Sequence, residues 1–283
     1  MTNPERIGIE PRKDRQLVAR VESTDNQDDC LAEFLPANAV TAVNADTPVT
    51  ISVSDAEVAV KLLSLPPDSA HDFRSRVIFE LTQSVLEPPG QFMFDAHRTS
   101  IANRYLGLVY RREPMQALQS RLLSTRNGSS PEPQYLMRAV ALGRGYERFA
   151  VSDGDGLLCL ADLVDSSVSL CFLHNRNIVS VAYMSASELK ADDPKSIQAF
   201  GVDLKSLINY QVANCAQHGL SVPLSAMVMC GMLSNPELHE TLSPLFSSRV
   251  VAPQVRADRV NLLLPDSSIR FADCIAALGL TVN

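Results

Sequence analysis

The chain has 283 residues, 46% of them hydrophobic and 20% charged, with a formal net charge of −7, which suits two domains with buried cores and a globular composition. An acidic balance without any lysine- or arginine-rich block speaks against a nucleic-acid partner. No run approaches the roughly 20 apolar residues that cross a bilayer, so direct membrane insertion is not expected.

In chain order, Ile7 to Glu10 and Leu17 to Glu22 read as two short strands joined by the charged turn PRKDR, and the polar stretch STDNQDD at 23–29 reads as a loop. Residues 49–65, VTISVSDAEVAVKLLSL, form two strands about a turn at Ser54-Asp55, stopped by Pro66-Pro67. Asp68 or Ser69 is placed to cap a helix running to about Val85, with Phe73, Val77 and Leu81 recurring every fourth residue as one apolar stripe. After Pro88-Pro89-Gly90 come the strands QFMFDAHR and YLGLVYRR, then a helix from Pro114 to about Leu123. The segment 124–134 reads as an exposed loop, a helix from about Tyr135 to Phe149 leads onward, and DGDG at 153–156 marks a boundary.

The second half opens with three strands, Leu157 to Leu163, Val168 to His174 and Ile178 to Met184, joined by the polar turns VDSS and HNRN. A helix over about Ser196 to Gln217 buries Leu204, Leu207, Ile208, Val212 and Cys215 and ends at Gly219. The strand SAMVMCG precedes a helix at Asn235-Pro236, where asparagine caps and proline fills the first turn. Strands at Arg249 to Ala252 and Asn261 to Leu264 lead to a last helix, Ile269 to Leu278. The pattern implies α/β layers with helices covering sheet faces.

Four segments, in order along nearly the whole chain, resemble the PilM branch of the actin-like ATPase superfamily. IGIEP at 7–11 is similar to the opening strand vGiDiG, and the run 53–97 to a strand ending in Leu-Pro, a helix and a proline-rich turn before an aspartate-bearing strand. ADLVDSSVSLCFLHNRNIV at 161–179 is similar to the second phosphate-loop hairpin, DiGxxsTsl, and MVMCGMLSNPELHETLSPLF at 227–246 to the ltGGgaxlpgl turn and helix. The tail IAALGL at 275–280 is similar to the closing AlGLA helix. The resemblance implies a duplicated ribonuclease H-like, two-domain actin fold: residues 1–150 with an insertion subdomain at about 48–130, and residues 151–283 with the second insertion reduced. It further implies a cytoplasmic ring or platform component, open to self-association, that grips the cytoplasmic tail of a PilN-like membrane partner. The related secretion protein GspL also has an actin-like cytoplasmic part, which continues into a membrane helix.

The same resemblance marks a nucleotide site at Glu10, Asp162, Asp165, Ser166 and Gly231, in which Asp162 keeps the carboxylate and Gly231 the glycine while their surroundings depart from the pattern. Phosphate hairpins need glycine and free amides, and magnesium needs carboxylates. Here Glu10 stands in place of aspartate and Pro11 brings no amide. Val164 replaces a glycine, Val168 a threonine, and Met232 follows Gly231. The expectation is a pseudo-ATPase scaffold without a cofactor. The alternative is an ATP-binding enzyme, an ATPase or small-molecule kinase, in which Asp162 and Glu10 hold magnesium and Gly231 faces the base. The residues at 162–167 also read simply as a solvated strand turn.

Other chemistry finds little footing. Cys30, Cys159, Cys171, Cys215, Cys230 and Cys274 are scattered without a CxxC pair, mostly among apolar neighbours, and read as buried thiols of a reducing compartment rather than metal ligands or disulfides. The opening MTNPERIGIEPRKDR lacks the apolar core of an export signal, so a cytoplasmic protein is expected. His71, His97, His174, His218 and His239 fall at turns or exposed helix positions, and Asp95 with His97 reads as a surface pair. No GxSxG, HExxH or Walker pattern occurs. RVNLLLPDSS at 259–268 is similar to the Asn-Leu-Leu-Pro string of the tails that PilM proteins capture, but reads as a core strand ending in a Pro-Asp turn.

Overall fold

The computed structural model describes residues 5–24, 27–44, 46–66, 72–125, 132–152, 156–190 and 192–282. Strands β1 (Arg6–Pro11), β2 (Arg15–Ser23) and β3 (Asp28–Pro36) form an antiparallel meander. After β4 (Thr41–Val43), β5 (Val49–Val53) pairs parallel with β1. A single 3-10 turn at Asp55–Glu57 then leads into the insertion: β6 (Val58–Ser64), α1 (Phe73–Ser84), β7 (Phe92–Arg98) and β8 (Arg104–Arg111). Helix α2 (Arg112–Leu122) and β9 (Leu123–Thr125), which pairs with β4, return the chain to β10 (Gln134–Met137), parallel to β5.

Helix α3 (Arg138–Phe149) crosses to the second half, where β11 (Leu157–Val164), β12 (Ser167–His174) and β13 (Asn177–Ser185) form another antiparallel meander. Then follow α4 (Pro194–Gln217), β14 (Leu224–Gly231), α5 (Pro236–Leu242), β15 (Arg249–Val251), β16 (Val260–Leu263) and α6 (Phe271–Gly279). The second sheet runs β13-β12-β11-β14-β15, with β14 parallel to β11 and β15 parallel to β14. Strand for strand and direction for direction, this repeats β3-β2-β1-β5-β10 of the first sheet. The duplicated architecture is thus present. Strand β16 lies outside the repeat and adds parallel to β3, so a strand from the second half completes the first sheet.

The two halves are fused by their helices. α3 packs on β12 and β13 of the second sheet, α6 packs on β1, β2 and β3 of the first, and the two helices pack on each other. Small residues allow that contact: a Cβ at Gly145 would strike the Ile275 carbonyl, and one at Gly279 the Ala141 carbonyl and the Gly145 amide. Because the obstacle is backbone on both sides, side-chain rearrangement cannot relieve it. Gly279→Ala is expected to lower unfolding free energy by about 1–3 kcal/mol, read as a shift of the urea midpoint. An unchanged midpoint would mean the helices separate at no cost.

Several sequence expectations change. Tyr135 belongs to β10, paired opposite Ile51, and the helix starts only at Arg138. The polar stretch at 23–29 contains the start of β3, because Asp28 and Asp29 pair with Ser23 and Glu22. Helix α2 begins at Arg112, two residues before Pro114. Of the string at 259–268, Val260–Leu263 forms the edge strand β16 rather than a core strand, with Leu263 exposed. The proposed cap at Asp68 or Ser69, His71 and most of the DGDG turn lie outside the described residues.

The insertion is a separate sheet ordered β6-β8-β7. α1 covers it with the expected stripe: Val77 and Leu81 are buried, and Phe73 stacks on Tyr105 with ring centroids 5.3 Å apart. Asp95 and His97 of β7 are not a surface pair. His97 Nε2 lies 3.1 Å from Asp95 Oδ2, both side chains are mostly buried, and Arg74 reaches the other Asp95 oxygen at 2.7 Å. In the second half β13 passes to α4 over 186–193, with no strand or helix between them among the described residues. No helix among those residues is long and apolar enough to cross a membrane.

Candidate functional site: a bridged carboxylate pair and an open strand edge

Strands β1 and β11 occupy equivalent places in the two sheets, and each carries a carboxylate near its C-terminal end: Glu10 and Asp162. Both are buried, 1% and 3% exposed. Arg138, the first residue of α3 and itself buried, lies between them. Its Nη2 donates to Asp162 Oδ2 at 2.7 Å and sits 3.3 Å from Glu10 Oε1. Arg12 contacts the same Glu10 oxygen through Nε at 3.0 Å and fixes its other end by donating to the Asp273 carbonyl at 2.6 Å. Asp55, just after β5, caps α3 from outside the helix, its Oδ1 accepting from the Ala139 amide at 3.0 Å.

The electrostatics follow from burial. Burial pushes the Asp162 carboxyl up to about 6, against the pull of Arg138. Asp55 is also raised by burial, against the hydrogen bonds from Ser169 and the Ala139 amide. Burial alone would lower the Arg138 pKa, but Asp162 and Glu10 outweigh it and keep the guanidinium charged.

The hairpin tips close over this cluster. The Lys13 amide, in the β1–β2 turn, donates to Asp165 Oδ2 in the β11–β12 turn at 2.9 Å, with Asp165 held at φ +53°. Ser166 is exposed, and its carbonyl accepts from the Ala186 amide at 2.7 Å. Gly231 ends β14 with φ +58°, where a Cβ would strike Asp162 Oδ1 and the Leu163 carbonyl. Close approach of β14 to the buried aspartate therefore demands glycine here. Beside the tips lies a polar recess of about 220 Å³ that includes Pro11, Asp55, Arg121, Arg138 and Asp165.

Glu10, Asp162 and Asp165 are thus brought together, with Gly231 against Asp162 and Ser166 facing outward. Arg138 and Arg12 were not singled out from sequence; the available signal for the first was a lone arginine inside the apolar run YLMRAVALG. These residues do not fit magnesium with a triphosphate. Both carboxylates already share a guanidinium, the Lys13 amide is engaged by Asp165, Pro11 has no amide, and the recess is smaller than the roughly 300–1,000 Å³ of ordinary ligand pockets. Among the described residues, no group of His, Cys, Asp and Glu converges to hold a metal. All six cysteines are buried and unpaired.

A second feature lies where the insertion meets the first domain. Strand β6 pairs with β8 on one side and, among the described residues, with no strand on the other. Beside it runs a groove of about 550 Å³ between β6, the end of α1 and the start of α2, lined by Ala59, Val60, Leu81, Val85, Phe92 and Met115, with Lys61 and Arg111 also on its walls.

No family model and no curated protein matches the sequence. Among solved structures the chain is similar to a chain of the PilM–PilN type IV pilus biogenesis complex, with a TM-score of 0.65 and 14% identity over 97% of each chain. Weaker likenesses are a Bacteroides thetaiotaomicron protein with an actin-like ATPase fold (TM-score 0.47, 8% identity, 87% and 90% covered) and the cytoplasmic domain of EpsL, an inner membrane component of the Vibrio cholerae type II secretion system (TM-score 0.46, 7% identity, 98% and 93% covered). The duplicated sheets and the first of these likenesses together show an actin-like fold with an insertion in its first domain.

Proposed function

We propose that this chain is a non-hydrolysing scaffold of a pilus or secretion-type assembly that holds the cytoplasmic tail of a PilN-like membrane protein. The observation that carries the reading is the apolar groove beside the open edge of β6. An extended segment gains main-chain hydrogen bonds along such an edge, while alternate side chains enter the groove. The guanidinium between Glu10 and Asp162 supports the absence of ATP hydrolysis, because a buried internal cation already compensates the carboxylates that a magnesium ion would need.

The test is calorimetric titration with peptides spanning the cytoplasmic tails of any membrane proteins encoded by neighbouring genes. Micromolar binding is expected. Ala59→Arg, a substitution at an exposed groove position, should weaken it by about 30-fold, the effect of losing a hot-spot contact, with the urea midpoint unchanged. No binding by any such tail would reject the scaffold reading. In parallel, any heat from Mg-ATP at about 1 mM should be unchanged by Asp162→Ala. Tight Mg-ATP binding abolished by Asp162→Ala would favour the ATP-binding enzyme instead.

A further inference from the structure

At the other end of α3, about 15 Å along the helix from Arg138 by its rise per residue, four arginines from three separate segments line one polar recess of about 450 Å³. Arg148 comes from the end of α3, Arg176 from the β12–β13 turn, and Arg256 and Arg259 from the turn before β16. The rest of the lining is Thr24, Gln27, Asp28, Glu147 and Asp258. In a chain of net charge −7, such convergence of guanidinium groups needs a cause.

Three of the arginines have an acid of the same recess within ion-pair distance, yet most of their N–H donors are not hydrogen-bonded to it. Arg148 is held by Asp28 through two hydrogen bonds of 2.7 and 2.8 Å. Arg176 donates to the Glu147 carbonyl at 3.0 Å, and its Nε stands 3.8 Å from the Glu147 carboxylate, beyond hydrogen-bond reach. Arg256 donates to the Ala150 carbonyl at 3.1 Å. Arg259 makes no side-chain hydrogen bond among the described residues, and its nearest acid oxygen, on Asp258, is 3.9 Å away. Among the described residues, no guanidinium here commits more than two of its five N–H donors. Such forks match phosphate oxygens in pairs.

The recess adjoins a second, narrower one. A slot of about 110 Å³ shares Glu147, Arg176 and Arg256 with it and continues past Tyr146, Leu158 and Leu173. A bare anion has no use for that apolar wall, whereas a phosphate ester can seat its organic part there.

We propose that this junction is a binding site for a small phosphate ester, with its phosphate among Arg176, Arg256 and Arg259 and its organic portion in the slot beside Tyr146. The site is separate from the bridged carboxylates and from the groove along β6. Isothermal titration of the full chain with inorganic phosphate, pyrophosphate and AMP at low salt tests it. AMP is expected to bind at least about tenfold tighter than phosphate, at roughly sub-millimolar Kd, and to weaken with added salt. Arg259→Ala and Arg176→Ala, both at exposed side chains, should each reduce AMP and pyrophosphate binding by about tenfold without moving the urea midpoint. Arg74→Ala, in the insertion, should leave binding unchanged. No binding of pyrophosphate or AMP at about 5 mM, or binding indifferent to Arg176 and Arg259, would overturn the site. AMP binding no tighter than phosphate would overturn the role of the slot.

Discussion

Arg138→Met is expected to lose about 3–5 kcal/mol of unfolding free energy near neutral pH, the cost of removing one partner from a buried charge pair. Glu10 retains Arg12, so the damage falls on Asp162, which is 3% exposed and whose only ion pair among the described residues is with Arg138. Against an ordinary stability of about 5–15 kcal/mol, that loss brings the protein close to unfolding. Adding Asp162→Asn in the same protein should recover most of it, because Glu10 still pairs with Arg12 and the carboxylate that lost its partner is gone. Urea unfolding reads all three proteins, and an Arg138→Met midpoint equal to wild type would refute the account of the cluster.

The pH dependence has a definite sign. The folded Asp162 carboxyl titrates at about 6, above its ordinary value of 3.8, so the fold binds its proton more tightly than the unfolded chain does. Its favourable contribution is complete below pH 3.8 and disappears as pH rises through about 6. Asp162→Asn should therefore gain on wild type as pH is raised from 4 to 7. In Arg138→Met the decline should be steeper and reach higher pH, since the attraction holding the carboxylate ionised is gone.

The second large effect is expected at Phe149. Its ring, 1% exposed at the end of α3, packs in a cluster with Leu17, Val21 and Cys30 of the first sheet and Leu278 of α6, and its carbonyl accepts from the Arg256 amide at 2.8 Å. Phe149→Ala should cost about 3–5 kcal/mol through lost burial and the cavity left behind. The walls of that cavity are a sheet and a helix fixed elsewhere, so collapse cannot fill it. Phe149→Leu should cost clearly less, because most of the volume is retained. Equal losses for the two variants would show that the cavity is not the cause.

Tight turns made most of the fold legible. The first hairpin, β1–β2, and the whole second meander were readable because their strands are short, apolar and separated by charged or polar turns such as PRKDR and HNRN. β3 was obscured because Asp28 and Asp29 extend a polar run, although Asp28 turns inward to meet Arg148. β10 merged with α3 because no breaker separates QYLM from RAVAL, and periodicity over four residues does not distinguish strand from helix. At the candidate site, Glu10 and Asp162 were visible as departures from a pattern. The group joining them was not, since a buried arginine is defined by partners lying 128 and 24 residues away in sequence. Strand addition by β16 and the cap of α3 by Asp55 were hidden for the same reason: each is a long-range pairing that leaves no local mark.

The return of β16 and α6 to the first sheet has a practical consequence. Cutting the chain near residue 150 would not release two foldable fragments, because the first would lack the strand that covers β3 and the helix that lies across β1–β3. Its exposed β3 edge would invite aggregation, and in the second fragment α6 would keep its contact with β14 but lose those with α3 and with β1–β3. Unfolding is accordingly expected to be a single cooperative transition, and a late deletion beginning before Val260 should harm the first sheet as much as the second.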